Sequence, residues 1–246
     1  MDAAPPNASQ TARQRARAEL TREIKEAARR QLAETGAPQL SLRAVARELG
    51  MVSSALYRYF PSRDDLLTAL IIDAYDSLGE AAEAAAAANS AANGTGGPRS
   101  GWRAVCHAIR DWARANPHEY ALIYGSPVPG YQAPRDTVAP AARVPLVLGQ
   151  LVRDSCAVLA ASPAGTAPAP PMPPLPALLA AQAAIVAGAI APGVPEPLIV
   201  RVLIAWTQLF GMISFELFGQ FVGSLDPADE FFGYTVEQMA DFAGIR

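Results

Sequence analysis

The side chains best suited to chemistry with another molecule lie close together, between residues 42 and 61. Arg43 and the serine pair Ser53 and Ser54 stand there with an aromatic-basic run, Tyr-Arg-Tyr, at residues 57–59. A guanidinium can donate in bidentate fashion to guanine O6 and N7, and a hydroxyl can bond either base edges or phosphates. These residue types predict contact with a nucleic acid.

A short one-faced helix is predicted at the start of this stretch, because apolar residues recur there at helical spacing. They are Leu42, Val45, Ala46 and Leu49. Ser41 precedes them as an N-cap, whose hydroxyl can accept from a free amide of the first turn. Gly50 follows at the position where the chain needs a positive φ to turn sharply.

A second short helix is predicted to begin near Val52 or Ser53 and to stop before the next proline, with Leu56 directed into a shared core. Ala46 would then lie where the two helices cross closely, and Gly50 would form the tight turn between them. These features are required in a helix-turn-helix, whose second helix lies in the DNA major groove.

Three runs in this region resemble the DNA-binding domain of TetR-type transcriptional regulators. They are residues 41–50 (SLRAVARELG), 55–60 (ALYRYF) and 61–67 (PSRDDLL), and the likeness covers roughly residues 15–70. The resemblance implies an all-α chain, with an N-terminal three-helix DNA-binding domain and a larger helical domain for ligand binding and dimerisation. Val52 departs from the family's pattern, because a Ser or Thr cap is usual there, and Ser53 is the alternative cap.

The resemblance also implies which positions contact DNA: Arg43, Ser53, Ser54, Ala55, Tyr57 and Arg58. Ala55 can touch a thymine methyl group. Tyr57, Tyr59 and Arg63 are better placed for phosphates, which position the protein without specifying sequence. Tyr57 has a competing role in packing against the first helix, and Arg47 is expected to pair with a carboxylate on its own helix.

Charge is unevenly distributed along the chain. Residues 1–63 carry eleven Lys or Arg against six Asp or Glu, and residues 64–246 carry nine against seventeen. A basic N-terminal part followed by an acidic remainder is consistent with a protein that contacts phosphates through its N-terminal part only. Arg13, Arg15 and Arg17 lie around the start of a first helix expected over about 16–35. They precede the helix-turn-helix, where an arm can reach phosphates or a minor groove, although they could form only a solvated face.

The expected organisation is a disordered tail (1–12), a helix-turn-helix DNA-binding domain (13–61) and a helical effector-binding and dimerisation domain (62–246). A helix over 62–88, capped by Ser62, would connect the two domains. The Pro-rich residues 163–176 are expected to form an extended or disordered loop. Further helices are expected near 102–116, 117–124, 140–161, 175–191, 196–223 and 227–242.

The apolar body could enclose a pocket for a small hydrophobic effector, as the resemblance implies. The candidate lining residues are Trp102, Cys106, Ile109, Tyr124 and Phe210, all of which could equally be core. The resemblance also implies that the last two long helices pair with their symmetry mates. The residues predicted at that dimer interface are Trp206, Leu209, Phe210, Ile213 and Leu217, with intramolecular core as the alternative.

The helix expected over 196–223 is long and apolar enough to raise the question of a membrane span. Arg201, Gln208 and Glu216 lie on roughly one side of it, which is costly in lipid, so burial against a second subunit is preferred. Residues 1–23 contain no apolar segment typical of a secretory signal, and two cysteines are too few for a disulfide framework. A cytoplasmic protein without a membrane partner is expected.

No catalytic or metal-binding constellation is found in the sequence. His107 and His118 are the only histidines, and no zinc-type spacing or nucleophile elbow is present. No catalytic residue, metal or cofactor is therefore expected. The sequence predicts a homodimeric repressor that binds a palindromic DNA operator and is released by a small apolar ligand. The alternative is a helical ligand-binding protein or enzyme that carries a helix-turn-helix.

Overall fold

A computed structural model describes residues 8–91, 96–161 and 173–246, and within these ranges it contains α-helices, two single 3-10 turns and no strand. The prediction of an all-α fold is confirmed. The helices are α1 (Ala8–Thr35), α2 (Leu42–Glu48), α3 (Ser53–Leu56), α4 (Arg63–Ala91), α5 (Pro98–Ala115), α6 (Pro117–Tyr124), α7 (Val138–Ala161), α8 (Ala177–Ile190), α9 (Glu196–Leu217) and α10 (Asp229–Ala243).

The chain divides into two compact units. The first comprises Met1–Ala74 and His118–Thr137, and the second comprises Tyr75–Pro117 and Val138–Arg246. Residues 118–137 therefore pack with the N-terminal helices, although the division expected at residue 61 placed them with the body. The sequence alone does not show that residues 118–137 pack against helices that lie far before them in the chain.

The first helix begins earlier than the sequence predicted. The expected start was near residue 16, after a disordered tail over 1–12, but α1 begins at Ala8. Two prolines at residues 5 and 6 are poor in a helix interior, whereas residues 8–12 contain none. Residues 1–7 of the expected tail lie outside the described part of the chain, as do residues 163–172 of the expected Pro-rich loop.

The core of the second unit is built around α5, whose inward face is fully buried. The residues on that face are Trp102, Val105, Cys106, Ile109 and Ala113. Burial of Cys106 raises the pKa of its thiol, because the thiolate would lose its hydration. His107 packs edge-to-face on the ring of Phe232, with the ring centroids 5.2 Å apart.

The three polar residues expected on one side of α9 differ in burial and in the groups that they bind. Arg201 is buried and donates to the Phe242 carbonyl at 2.9 Å, whereas Gln208 is exposed. Glu216 accepts two hydrogen bonds of 2.7 Å from Arg110. The inward residues are held by other helices of the same chain, which the periodicity of one helix cannot show.

Two helical stretches in the described part of the chain, Arg135–Ala161 and Glu196–Leu217, are long and apolar enough to cross a membrane by length and composition. Half of the apolar window in Glu196–Leu217 is buried inside the protein. Core helices of soluble proteins share this composition, so the stretches are weak evidence for a span.

Candidate nucleic-acid interface

The turn between α2 and α3 has the geometry that the sequence predicted. Gly50 has a φ of 65°, a backbone conformation that side chains with a Cβ adopt only with strain. The Met51 amide donates to the Ala46 carbonyl at 2.8 Å and closes the end of α2. Ala46 and Leu56 are both buried, so the two helices meet on small and apolar side chains.

Neither of the two short helices is capped by a side chain. Ser41 occupies the N-cap position of α2, but its hydroxyl makes no capping bond, and its backbone amide donates to Gln31 Oε1 at 2.9 Å. Val52 is the N-cap of α3, and Ser53 is already its first helical residue, so the alternative cap at Ser53 is wrong. The fixed position of α3 comes instead from burial of Leu56 and from the turn.

Helix α3 is followed by a tight hydrogen-bonded turn that reaches Phe60. The amides of Tyr57 and Phe60 donate to the carbonyls of Ser53 and Leu56 at 3.1 Å. Ser54, Tyr57 and Arg58 are exposed along this segment, whereas Ser53, Ala55 and Tyr59 are half-buried. The predicted contact residues of 53–59 therefore form one short continuous surface.

The first helix reaches this surface through Arg17. Its guanidinium carbon lies 5.4 Å from the centroid of the Tyr59 ring, a cation–π contact. Tyr57 is 42% exposed, which leaves part of its side chain open to solvent, and its expected contact with DNA remains a prediction. The Tyr59 ring packs against the first helix through this contact with Arg17.

Several cations of the first unit are used to hold the helices together. Lys25 and Arg29 of α1 bind Asp73 of α4 at 2.7 and 2.6 Å, and Arg30 of α1 binds Glu48 of α2 at 2.6 Å. The expected pairing of Arg47 with a carboxylate on α2 does not occur, because Glu48 faces α1.

Arg63 has a structural role that the sequence did not predict. Its guanidinium donates to the carbonyls of Ala37 at 2.8 Å, Leu40 at 3.1 Å and Pro38 at 3.2 Å. These carbonyls belong to the connection between α1 and α2. Arg63 therefore fixes the entry to the helix-turn-helix, and its expected contact with a phosphate remains a prediction.

A second set of cations is free of carboxylates. Within the part of the chain that the structure describes, the following exposed arginines of α1, α2 and the α3 turn form no ion pair: Arg13, Arg15, Arg17, Arg43, Arg47 and Arg58. Arg22, by contrast, bonds to Glu19 and Glu26 on α1, and its hydrogen bonds lower the pKa of the Glu19 carboxyl. Uncompensated guanidiniums therefore concentrate around the α3 surface and the start of α1.

The five predicted effector-lining residues differ in burial and lie in different parts of the fold. Trp102, Cys106 and Ile109 are fully buried, and the Trp102 indole donates to the Val236 carbonyl at 3.1 Å. Phe210 is 7% exposed, and Tyr124 lies in the first unit. None of the five lines the half-open apolar depression between α7, α8 and α9, and their expected role in ligand binding remains a prediction.

The predicted dimer residues are also largely internal. Leu209, Phe210 and Ile213 are buried within their own chain, and Trp206 and Leu217 are half-buried. The burial of the first three favours the intramolecular alternative for them. Apolar side chains that are exposed on α8 and α9 are Leu178, Ile185, Ile204 and Phe215.

This geometry defines a helix-turn-helix protein. Among the residues that the structure describes, the exposed surface around α3 carries mainly arginine side chains without ion-pair partners. One family model, for bacterial regulatory proteins of the tetR family, matches residues 24–70. A second, for the C-terminal domain of tetracyclin repressor-like proteins, matches residues 102–239, which is more than half of the chain. The chain belongs to the TetR family of bacterial regulators, as the resemblance of residues 41–67 predicted.

Individual relatives agree with this assignment. The HTH-type transcriptional regulator Rv1816 of Mycobacterium tuberculosis is 48% identical over 131 residues, which are 52% of this chain and 53% of that protein. The HTH-type regulator Mb1846 of Mycobacterium bovis matches to the same extent. The chain thus spans about half the length of the curated relatives it matches.

Solved structures extend the likeness to nearly the whole chain. The crystal structure of the protein SCO4313 is 35% identical, with a TM-score of 0.71, and the match covers 96% of this chain and 98% of that one. A TetR-family regulator from Shewanella sp. PV-4 is 16% identical with a TM-score of 0.55, covering 91% and 95%. The second likeness shows the shared fold alone.

Proposed function

We propose that this protein is a cytoplasmic transcriptional repressor, which binds a palindromic operator as a homodimer and is released by a small, mostly apolar ligand. The observation that carries the DNA-binding part is the set of exposed arginines without carboxylate partners around α3. A cation already bound to a carboxylate has little to gain from a phosphate, whereas a free guanidinium can replace the counterions of DNA.

The position of each residue around α3 suggests which part of the DNA it contacts. Arg43 at the start of α2 and Arg58 after α3 can donate to guanine edges, and Ser53, Ser54 and Ala55 can contact neighbouring bases. Tyr57 is exposed enough to donate its hydroxyl to a phosphate. Two such surfaces in a symmetric dimer would bind half-sites about 34–36 Å apart, or a multiple of that spacing.

The dimer is proposed to form through the exposed apolar side chains of α8 and α9. Leu178 and Ile185 are 73% and 75% exposed, and both lie on one face of α8. A soluble chain usually buries such a row in an interface. We propose this face in preference to Leu209, Phe210 and Ile213, because those side chains are buried within their own chain.

Selection of bound sequences from a random DNA library, followed by gel shift, tests the proposal. We expect a two-fold symmetric site, and we expect the double variant Arg58→Ala and Tyr57→Ala to weaken binding by more than tenfold. One base contact is worth about 1–3 kcal/mol, and the lost phosphate contact adds to it.

Arg30→Ala is the control, because it removes a cation of similar exposure that is bound to Glu48. Its affinity for the selected site should stay within about threefold of the wild type. Equal binding by the double variant and the wild type would contradict the proposed surface, and enrichment of no sequence would contradict specific DNA recognition.

A further inference from the structure

The connection between α1 and α2 is short and contains little regular structure. Helix α1 ends at Thr35, and α2 begins at Leu42. Between them Gly36 has a φ of 76°, and Ala37–Gln39 form a single 3-10 turn. A segment of this kind has few backbone hydrogen bonds of its own, so side chains of neighbouring helices determine how α2 begins.

Two side chains hold this connection. Gln31 of α1 is buried, and its Oε1 accepts a hydrogen bond from the Ser41 amide at 2.9 Å. Arg63, at the start of α4, donates three hydrogen bonds of 2.8–3.2 Å to carbonyls of the connection. The connection is therefore fixed by one residue that precedes it in the chain and by one that follows it.

The three hydrogen bonds from Arg63 depend on the shape of the guanidinium group. Its Nη2 donates to the carbonyls of Ala37 and Pro38, and its Nε donates to the carbonyl of Leu40. The planar group presents these N–H donors in a fixed fork, whereas a lysine has the same charge on a single nitrogen. A lysine at this position cannot donate from two points of one rigid plane.

The same hydrogen bonds leave Arg63 little to offer to a phosphate. Two of its three nitrogens are directed at carbonyls. The third, Nη1, lies 3.6 Å from a carboxylate oxygen of Asp64. A carboxylate beside this nitrogen repels a phosphate.

The carbonyls that Arg63 binds lie directly before the turn of α2 that carries Arg43. Leu40 and Leu42 are buried on either side of Ser41, so movement of the connection moves the start of α2 with it. Arg43 is exposed on that first turn. A bidentate contact with guanine requires N–H···O distances of about 2.7–3.2 Å, and it tolerates little displacement of the helix.

We infer that Arg63 is a positioning residue for base recognition. By holding the α1–α2 connection it directs Arg43 at its base, and it does not itself bind a phosphate. The reading of a base by Arg43 rests on the proposed function. The hold of Arg63 on the connection is a property of the free protein, so it is measured without DNA.

Arg63→Lys is the test variant, because it keeps the charge and removes the fork. In the free protein, we expect the Ser41 amide to exchange with solvent at least about tenfold faster, since the connection is released on the side of α4. Exchange of the Leu70 amide inside α4 should not change. Amide exchange followed by NMR measures both rates, and circular dichroism shows that the variant is folded.

Arg30→Lys is the matched control for exchange. It makes the same substitution in the same unit, at a cation that is bound to the Glu48 carboxylate. It should leave the exchange of Ser41 unchanged. Unchanged exchange of Ser41 in Arg63→Lys would overturn the inference, and equal acceleration at Ser41 and Leu70 would do so too, because it would show a general loss of stability.

Base recognition is measured on the operator that the wild type selects from a random DNA library. Arg43→Ala first identifies the base pair whose preference depends on Arg43. We expect Arg63→Lys to lose about tenfold in preference at that base pair and to keep the preferences that depend on Arg58. Because Arg63 acts through Arg43, the double variant Arg43→Ala and Arg63→Lys should bind within about threefold of Arg43→Ala.

Salt dependence separates positioning from a phosphate contact. The slope of log K against log salt should be unchanged in Arg63→Gln, because no phosphate contact is lost. A slope lowered by about one in Arg63→Gln, together with wild-type base preference in Arg63→Lys, would show a phosphate contact and overturn the inference.

A loss of preference in Arg63→Lys that is spread evenly over all base pairs would also overturn the action through Arg43. If the wild type selects no sequence, the proposed function fails and the role of Arg63 in base recognition fails with it. The exchange of Ser41 then still shows whether Arg63 fixes the connection, so the two failures are distinguished.

Discussion

At the scale of single residues, the basic side chains of the first unit fall into two groups with different physical roles. Lys25, Arg29 and Arg30 are neutralised by carboxylates of neighbouring helices and hold the framework. Arg17, Arg43 and Arg58 have no such partner within the described part of the chain. Net charge alone does not separate these groups, although only the second can bind phosphates without first losing an ion pair.

Arg17→Gln should therefore weaken operator binding uniformly across sequences and reduce the slope of log K against log salt by about one. The expected cause is the loss of one phosphate contact, together with the loss of the Arg17 contact to Tyr59. Binding isotherms between 50 and 200 mM salt, an interval chosen to follow counterion release, measure the slope.

Arg22→Gln is the matched control on the same helix, because Arg22 is exposed and already bound to Glu19 and Glu26. Its slope should equal that of the wild type. A slope that changes equally in both variants would show that the effect comes from overall charge and not from a contact made by Arg17.

At the scale of elements, three helices of the second unit are connected by an ionic cluster whose central cation is buried. The Arg110 side chain is 4% exposed, and it donates to Glu216 of α9 and to Asp229 of α10, the latter at 3.0 Å. Its guanidinium also lies over the Phe232 ring, 4.6 Å from the centroid. One residue of α5 thus sets the positions of the two last helices.

Arg110→Ala should lower the free energy of unfolding by about 3 kcal/mol or more, because Glu216 would remain largely buried without its partner. Urea unfolding followed by circular dichroism measures this change. Arg114→Ala removes a 51% exposed cation that approaches the same carboxylates at 3.5–3.9 Å, and it should cost less than about 1 kcal/mol. Equal losses in both variants would contradict the assignment of the cluster to Arg110.

At the scale of the whole molecule, the proposed assembly depends on side chains that the chain leaves outside its core. Leu178 and Ile185 project from α8, and Ile204 and Phe215 project from α9, where they are 47% and 54% exposed. Placed against a symmetry mate, they would bury the same patch on both subunits, as a two-fold interface requires.

Ile185→Glu should convert the dimer to a monomer at micromolar concentration, because each interface would bury two uncompensated carboxylates. Sedimentation velocity measures the change, and operator affinity should fall with it. Val138→Glu introduces the same charge at an exposed position of α7 and should leave the dimer intact. A dimeric Ile185→Glu variant would contradict this interface, and a monomeric wild type would contradict the dimer itself.

The sequence alone determined the helix-turn-helix, because its requirements are local. The apolar spacing in residues 42–49, the glycine that adopts a positive φ and the inward Leu56 all lie within about twenty residues. The sequence likewise predicted the basic surface. Arginines that are close to a short exposed helix in the sequence stay near that helix however the other helices pack.

Only the tertiary structure decided which arginines are free, which stripe of α9 faces its own core and where an apolar depression remains. Asp73 lies more than forty residues from the cations that it neutralises, so sequence spacing could not pair them. Leu209 and Ile213 have the composition of both a core and an interface, because each environment removes apolar surface from water. The partner that covers such a stripe is set by the packing of distant helices.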